Sequence, residues 1–176
     1  PSDQHLVQTL VSYVPRIVVR RFVNEPHKPL RAPETETYFA CVLFADISGF
    51  TPLMEQMATL GAEGVERVTT HLNAYFRHMI NLIAEHGGDV VKFAGDALIV
   101  IWPTGAQTGL YSMTLLGCQC ALALQRKMGH YVVGNTELRI HIGVGAGKIA
   151  GIHVGGVKDR HEFFVAGHPL EQVGSC

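Results

Sequence analysis

From Tyr38 to Ile47 the chain reads YFACVLFADI, apolar at every position except Asp46. A run this short and this continuous is a strand covered on both sides, because a half-buried strand alternates. Such a strand cannot stand alone. Its backbone N–H and C=O groups need partners on both edges, so the remaining chain must build a sheet around it.

The flanking segments supply the parts. Residues 3–14 carry a helical stripe of Leu6, Val7, Leu10, Val11 and Val14, with Asp3 as cap and Pro15 as stop. Ile17–Val23 is short and β-branched and predicts a strand. Residues 24–37 hold three prolines and read as a linker or strap. After the central strand, Ser48-Gly49 marks a turn, and Thr51-Pro52 reads as a helix cap followed by proline at the first helical position. A long helix is expected over 61–86, with Val65, Val68, Leu72, Tyr75, Phe76, Met79, Ile80 and Ile83 on one face, ended by Gly87-Gly88. Strands at 89–93 and 97–102 around Ala94-Gly95-Asp96 form a hairpin, and a second helix covers 106–129. Residues 137–146 alternate, with Leu138, Ile140, Ile142 and Val144 against Arg139, His141 and Gly143, as in a half-buried strand. Two shorter strands are expected at 148–154 and 162–166.

The order is therefore β, α, β, β, α, β with a small extra hairpin. It predicts an α+β, ferredoxin-like βαββαβ core: a mainly antiparallel sheet with its helices on one face. Residues 1–37 read as an N-terminal lead and strap, and 38–176 as the domain proper.

Composition narrows the function. With 14 Lys and Arg against 15 Asp and Glu, the formal net charge is -1, which argues against a partner held by phosphate-backbone electrostatics such as duplex DNA. No apolar run reaches the roughly 18 residues of a membrane span, and no signal peptide is read at Pro1. Cys41, Cys118, Cys120 and Cys176 do not form a disulfide framework or a metal-ligand spacing, and the ten histidines are scattered. A reduced, cytoplasmic setting is expected.

Two carboxylates occupy comparable places. Asp46 ends the central strand and Asp96 sits at the hairpin tip, and this topology sets those strands side by side. Taken singly, each reads as a turn former or cap. Together they suit a divalent ion beside substrate phosphates. The turn Ser48-Gly49-Phe50-Thr51 leads into a helix whose first amides would receive a phosphate. Lys92, among Val90, Val91, Phe93 and Ala94, is expected to be partly enclosed and to need a partner. The stretch Gly143-Val-Gly-Ala-Gly-Lys148 fails as a phosphate loop, since Ile149 stands where Ser or Thr is required; its glycines read as permitting close backbone approach.

These residues resemble a family. Phe44-Ala-Asp46-Ile-Ser-Gly-Phe-Thr51 resembles the FxDIxGFT signature of class III nucleotidyl cyclases, and His86-Gly-Gly-Asp-Val-Val-Lys92-Phe-Ala-Gly-Asp96 resembles their GGxxxKxxGD segment. Within that family the chain looks like the first catalytic domain of the bicarbonate-responsive soluble adenylyl cyclases, from about residue 11 to 173. The resemblance implies that Asp46, Asp96 and the Ile47 carbonyl bind two Mg²⁺ ions, with Mn²⁺ as a substitute. It implies ATP as substrate, converted to cyclic AMP and pyrophosphate. Lys92 would select adenine, as in homodimeric members, or line a bicarbonate pocket, as in the soluble enzyme.

The C-terminal part departs from the homodimer pattern. Phe164, Glu171 and Ser175 stand where the family has an adenine-selecting Asp, a ribose-orienting Asn and a transition-state Arg, and Gly174 replaces the soluble enzyme's arginine. The resemblance then implies a metal-bearing half that works against a complementary cyclase domain. The chain stops at Cys176, short of the last helix and strands of that domain, and reads as a fragment of a longer protein. Two other readings stay open. One is a catalytically silent cyclase-fold module for dimerisation or scaffolding. The other is a diguanylate cyclase suggested by Gly87-Gly88-Asp89, against which stand Val90-Val91 and the FADISGFT run.

Overall fold

The computed structural model describes residues 11, 14–30, 32–59, 61–134, 136–158 and 160–174. The predicted helix over 3–14 lies almost wholly outside them, as do Ser175 and Cys176. The elements run α1 (Arg16–Asn24), β1 (Glu34–Ser48), α2 (Phe50–Ala58), α3 (Gly61–Glu85), β2 (Asp89–Ala94), β3 (Ala97–Pro103), α4 (Leu110–Met128), β4 (His130–Val133), β5 (Thr136–Val157), β6 (Arg160–Ala166) and α5 (His168–Gly174).

Five strands follow the order β2-β3-β1-β5-β4, and β6 pairs with β5. Every pairing is antiparallel. The run that demanded neighbours on both edges has them: β1 is central, between β3 and β5. One side of β1 gives Cys41, Leu43, Ala45 and Ile47 to a core shared with Val68, Tyr75, Met79 and Ile83 of α3 and Cys120 and Leu124 of α4. The other side gives Ala40 and Val42 to a smaller core with Ile17 of α1, Phe163 and Val165 of β6 and Leu170 of α5. The two long crossover helices thus share one face, as the ferredoxin-like pattern requires, while two short helices cover part of the other.

Several local expectations change. Ile17–Val23 is helical because its N-terminus is capped from far away in sequence. Pro15 offers no capping side chain, but the Asp89 carboxylate accepts the N–H of Arg16 at 2.9 Å and of Ile17 at 2.8 Å. The Arg16 guanidinium donates in turn to the carbonyls of Gly87 and Gly88. A carboxylate at a helix start satisfies orphan donors and the macrodipole together, which outweighs the few tenths of a kcal/mol that each β-branched residue costs a helix. The same helix buries Arg21, whose side chain is 4% exposed and pairs with Glu34 and Glu36 of β1. Asp89→Ala is expected to cost about 1–2 kcal/mol and to speed hydrogen exchange at Arg16 and Ile17 selectively, leaving β1 protected. Equal exchange in both proteins would rule out the long-range cap.

Residues 34–37, read as strap, belong to β1. Pro52 is the third residue of α2, whose N-cap is Gly49 in the left-handed region (φ 96°). Helix α3 keeps the predicted stripe but turns it, leaving Val65 53% and Ile80 39% exposed. Its end is a Schellman turn, with Gly88 N–H to Ile83 C=O and Gly87 N–H to Ala84 C=O, both 2.9 Å. The two strands expected at 137–146 and 148–154 are one, because β5 pairs with β1 without a break from Ser48↔Arg139 to Glu34↔His153. Strand β4 and helix α5 carry no strong periodicity and were not predicted. The glycine stretch explains α5. Gly143, Gly145 and Gly147 share one face of β5, and a Cβ on the first two would sit 2.9 Å from the Val173 carbonyl and 2.5 Å from the Pro169 carbonyl. These glycines seat a helix against the sheet.

Candidate functional site

The register of β1 builds the site. Asp46 pairs with Ala97 of β3 and with His141 of β5, so one row across the sheet reads Ala97–Asp46–His141. Directly opposed antiparallel residues project to the same face. Asp96 precedes Ala97 in the β2–β3 turn, so its α-carbon lies no more than roughly 9 Å from that of Asp46. Asp46 is half-buried and Asp96 exposed. Among the described residues neither carboxylate has an ion-pair or side-chain hydrogen-bond partner. Ile47 and Ser48 extend past the last residue paired to β3 and are held by β5 alone.

The turn after β1 is fixed by close contact. Gly49 lies so near β5 that a Cβ would stand 2.5 Å from the Glu137 carbonyl oxygen. Ser48 Oγ donates weakly to the Arg139 carbonyl at 3.4 Å and meets His141 Nε2 at 3.3 Å. The Leu53 N–H is already taken by the Gly49 carbonyl and Pro52 has none, so the open amides at the α2 N-terminus are those of Phe50 and Thr51. No acidic side chain occupies that first turn. A concavity of about 440 Å³ opens beside Asp46, lined by Phe44, His141, Ile142, Gly143, Val173 and Gly174.

Lys92 departs from its expectation. It is exposed, not enclosed, and its ammonium lies 4.4 Å from the centroid of the Phe164 ring. Its partner is an aromatic face instead of a carboxylate. Phe164 and Lys92 thus meet, although β6 and β2 lie on opposite sides of the sheet order.

Four further polar residues sit beside this turn: His130, Glu137, Arg139 and His141. Sequence alternation set Arg139 and His141 on the polar side of their strand, but nothing in it said that Ser48 and Asp46 lie opposite. Glu137 accepts from Arg139 Nε at 3.1 Å and Nη2 at 2.9 Å through one oxygen, while the other meets His130 Nδ1. Those two neighbours hold its carboxyl below the usual carboxylate range, His130 first and Arg139 second.

The donor set is hard oxygen: two carboxylates and, beyond the β3 register, the Ile47 carbonyl. No group of three or more His, Cys, Asp or Glu side chains gathers among the described residues. That excludes a four-ligand structural zinc site there but matches Mg²⁺, which takes one or two carboxylates and completes its shell with water and substrate phosphate. Among the described residues no helix is long and apolar enough to cross a membrane.

Comparison with known proteins bears on the family and the fold. The family described as adenylate and guanylate cyclase catalytic domain matches residues 33–167. Adenylate cyclase type 10 of Oryctolagus cuniculus is 30% identical over 144 residues, covering 80% of this chain and 9% of that protein. The chain therefore spans about a tenth of the length of the adenylate cyclase type 10 relatives it matches. Among solved structures, the adenylyl cyclase CyaB from P. aeruginosa superposes with a TM-score of 0.64 at 24% identity, covering 80% of this chain and 71% of that one. The guanylyl cyclase Cya2 superposes with a TM-score of 0.59 at 24% identity, covering 82% and 71%. At those identities the structures speak for the fold alone.

Proposed function

The chain belongs to the adenylate and guanylate cyclase catalytic domain family, and from that premise we propose that it is the metal-bearing half of an adenylyl cyclase, with a catalytic domain that takes in β1 from Glu34 and a lead before it. The observation that supports this is the β1–β3 register, which pairs Asp46 with Ala97, the residue next to Asp96. Asp46, Asp96 and the Ile47 carbonyl would hold two Mg²⁺ ions, with Mn²⁺ able to substitute. Bound there, the ions supply neutralisation of the triphosphate and a lowered pKa for the ribose 3′-hydroxyl.

The chain's own groups then divide the work. Ser48, Gly49, Phe50 and Thr51 form the turn that receives phosphate oxygens, through the open amides of Phe50 and Thr51 and the dipole of α2. The 3′-oxygen attacks the α-phosphorus, the bond to pyrophosphate breaks, and cyclic AMP and pyrophosphate leave. Phe164 and Glu171 offer neither the base-selecting carboxylate nor the ribose-orienting amide of a self-sufficient site. A complementary cyclase domain, in the same or another chain, is proposed to bring the ribose-orienting and transition-state groups. Adenine as the base is supported by the relationship to adenylate cyclase type 10, and a cytoplasmic setting is part of the same proposal.

One observation favours a second reading, a cyclase-fold module that pairs without turnover: Phe164 already engages Lys92, the side chain that would meet the base or a regulatory anion. The discriminating experiment gives the full-length protein, with its complementary domain, radiolabelled ATP and GTP in turn, under Mg²⁺ and under Mn²⁺. Cyclic AMP from ATP in clear excess over cyclic GMP from GTP supports the proposal. No product under either metal supports the silent module.

A further inference from the structure

Helix α4 carries two apolar faces. Cys120 and Leu124 point into the main core. On the opposite side Tyr111, Leu115, Cys118 and Leu122 fall within about 60° of one another around the helix axis and form a stripe roughly 17 Å long. Nothing among the described residues covers it. Tyr111 is 82% exposed, Leu115 48% and Leu122 56%, and Cys118 is exposed with them. A surface helix ordinarily turns charged side chains to water on that side. Here the only charged side chains in the 19 residues are Arg126 and Lys127, both in the last turn.

Contiguous apolar side chains left in water mark a binding surface, and the spacing of this stripe selects its occupant. Leu115 and Leu122 are equidistant from the Cys118–Gln119 peptide bond, and so are Tyr111 and Arg126. An antiparallel copy of the helix, turned about a two-fold axis through that bond, sets each Leu115 against the partner's Leu122. The same rotation sets each Arg126 guanidinium against the ring of the partner's Tyr111, a cation over an aromatic face. Cys118 is small and occupies the crossing point, where two helix axes come within about 8–10 Å. The antiparallel macrodipoles attract. A lipid surface fits less well, because Ser112, Gln119 and Gln125 beside the stripe are uncharged, whereas an interfacial helix brings lysines and arginines there.

We propose that α4 is a homodimerisation surface, pairing antiparallel with a second copy of this chain about an axis at Cys118–Gln119. The site at Asp46 stays open in such a pair. Cys41, Leu43, Ala45 and Ile47 of β1 face α3 and α4, so Asp46, alternating with them, faces the other side of the sheet. A complementary cyclase domain over Asp46 and a second copy over α4 do not compete. The pairing stands whether or not the chain turns nucleotide over.

The test is sedimentation equilibrium of the full-length protein and its variants, with thermal melting of each to confirm folding. A single helix pair is a small interface, so the wild type should self-associate with a Kd of roughly 10–100 μM. Leu115→Glu should raise that Kd by about 100-fold or more, since the two-fold removes the leucine twice. Arg126→Glu should raise it by about 10-fold through loss of both cation–ring pairs. Adding Tyr111→Arg to Arg126→Glu should recover about 3-fold or more of that loss, because the ends again carry opposite charge. A folding defect cannot mimic that recovery. A short bis-maleimide should join two chains in a product that Cys118→Ser abolishes. A wild type that stays monomeric well above the expected Kd, or association that Leu115→Glu leaves unchanged, overturns the proposal. Loss in Leu115→Glu without recovery by the charge exchange overturns the two-fold arrangement. Leu115-dependent sedimentation with phosphatidylcholine vesicles, without self-association, overturns it in favour of a lipid surface.

Discussion

Asp46→Asn is expected to lower cyclic-nucleotide formation by about 10³-fold or more while leaving the protein as stable as before. The magnitude follows from what one oxygen-donor carboxylate does beside a phosphoryl centre: removing a single preorganised electrostatic group already costs about 10²–10³ in rate, and this residue is proposed to hold both ions. The stability argument comes from the structure. Among the described residues Asp46 has no ion pair or side-chain hydrogen bond to lose. Its near neighbour Asp96 is a like charge, so neutralising one relieves about 1 kcal/mol or less of repulsion. Thermal melting without metal should therefore be level or slightly higher in the variant, and the added protection that Mg²⁺ gives the wild type should vanish. Asp96→Asn should behave alike. Turnover surviving in Asp46→Asn would remove the metal-bearing role.

The second large effect concerns Gly49→Ala. Two penalties coincide at this position. Its φ of 96° is one an L side chain rarely adopts, and the added methyl would stand 2.5 Å from the backbone oxygen of Glu137. Neither the turn nor β5 can yield by rotating a side chain, since the clash is with main chain. A cost of about 3 kcal/mol follows, or roughly 6–12 °C in Tm for a domain of this size. Gly95→Ala is the control: its φ is 67°, but nothing lies within 4 Å of the new methyl, so about 1 kcal/mol is expected. Equal destabilisation of the two variants in denaturant titration would show that close approach contributes nothing at Gly49. Activity should fall in Gly49→Ala beyond what stability explains, because the open amides of Phe50 and Thr51 move with the turn.

Much of this molecule was readable before its fold was known, for identifiable reasons. Tyr38–Ile47 announced a central strand because continuous apolarity over that length has few other uses, and the Gly95 hairpin and the Gly87-Gly88 helix end are local events. Asp46 and Asp96 were legible as a pair because topology, not side-chain detail, brings them together. What escaped was decided at long range. Helix α1 defeats its own β-branched composition through a carboxylate 73 residues from Arg16. The continuity of β5 is set by its full-length pairing with β1, which no period-two count reveals. The exposure of Val65 and Ile80 on α3 is set by the packing of the helix, which the stripe alone does not reveal. Arg139 and His141 were placed on the correct side of their strand but left without neighbours, because alternation gives a face and register gives the company on it. Lys92 was judged from its sequence neighbours, whereas its ammonium lies beyond them, over Phe164.

The latch at Asp89 makes the front of the chain and the hairpin a single lever. Asp89 is the first residue of β2, and Asp96 lies at the far end of the same hairpin. Tension applied ahead of Pro15 passes through two amide–carboxylate bonds and the Arg16 clasp on Gly87 and Gly88, not through slack polypeptide. It arrives at the fulcrum of the arm that carries Asp96. A pull or twist on the leading segment is thus geared to the hairpin tip, and slackening it requires the Asp89 carboxylate and the Gly87 and Gly88 carbonyls to let go together.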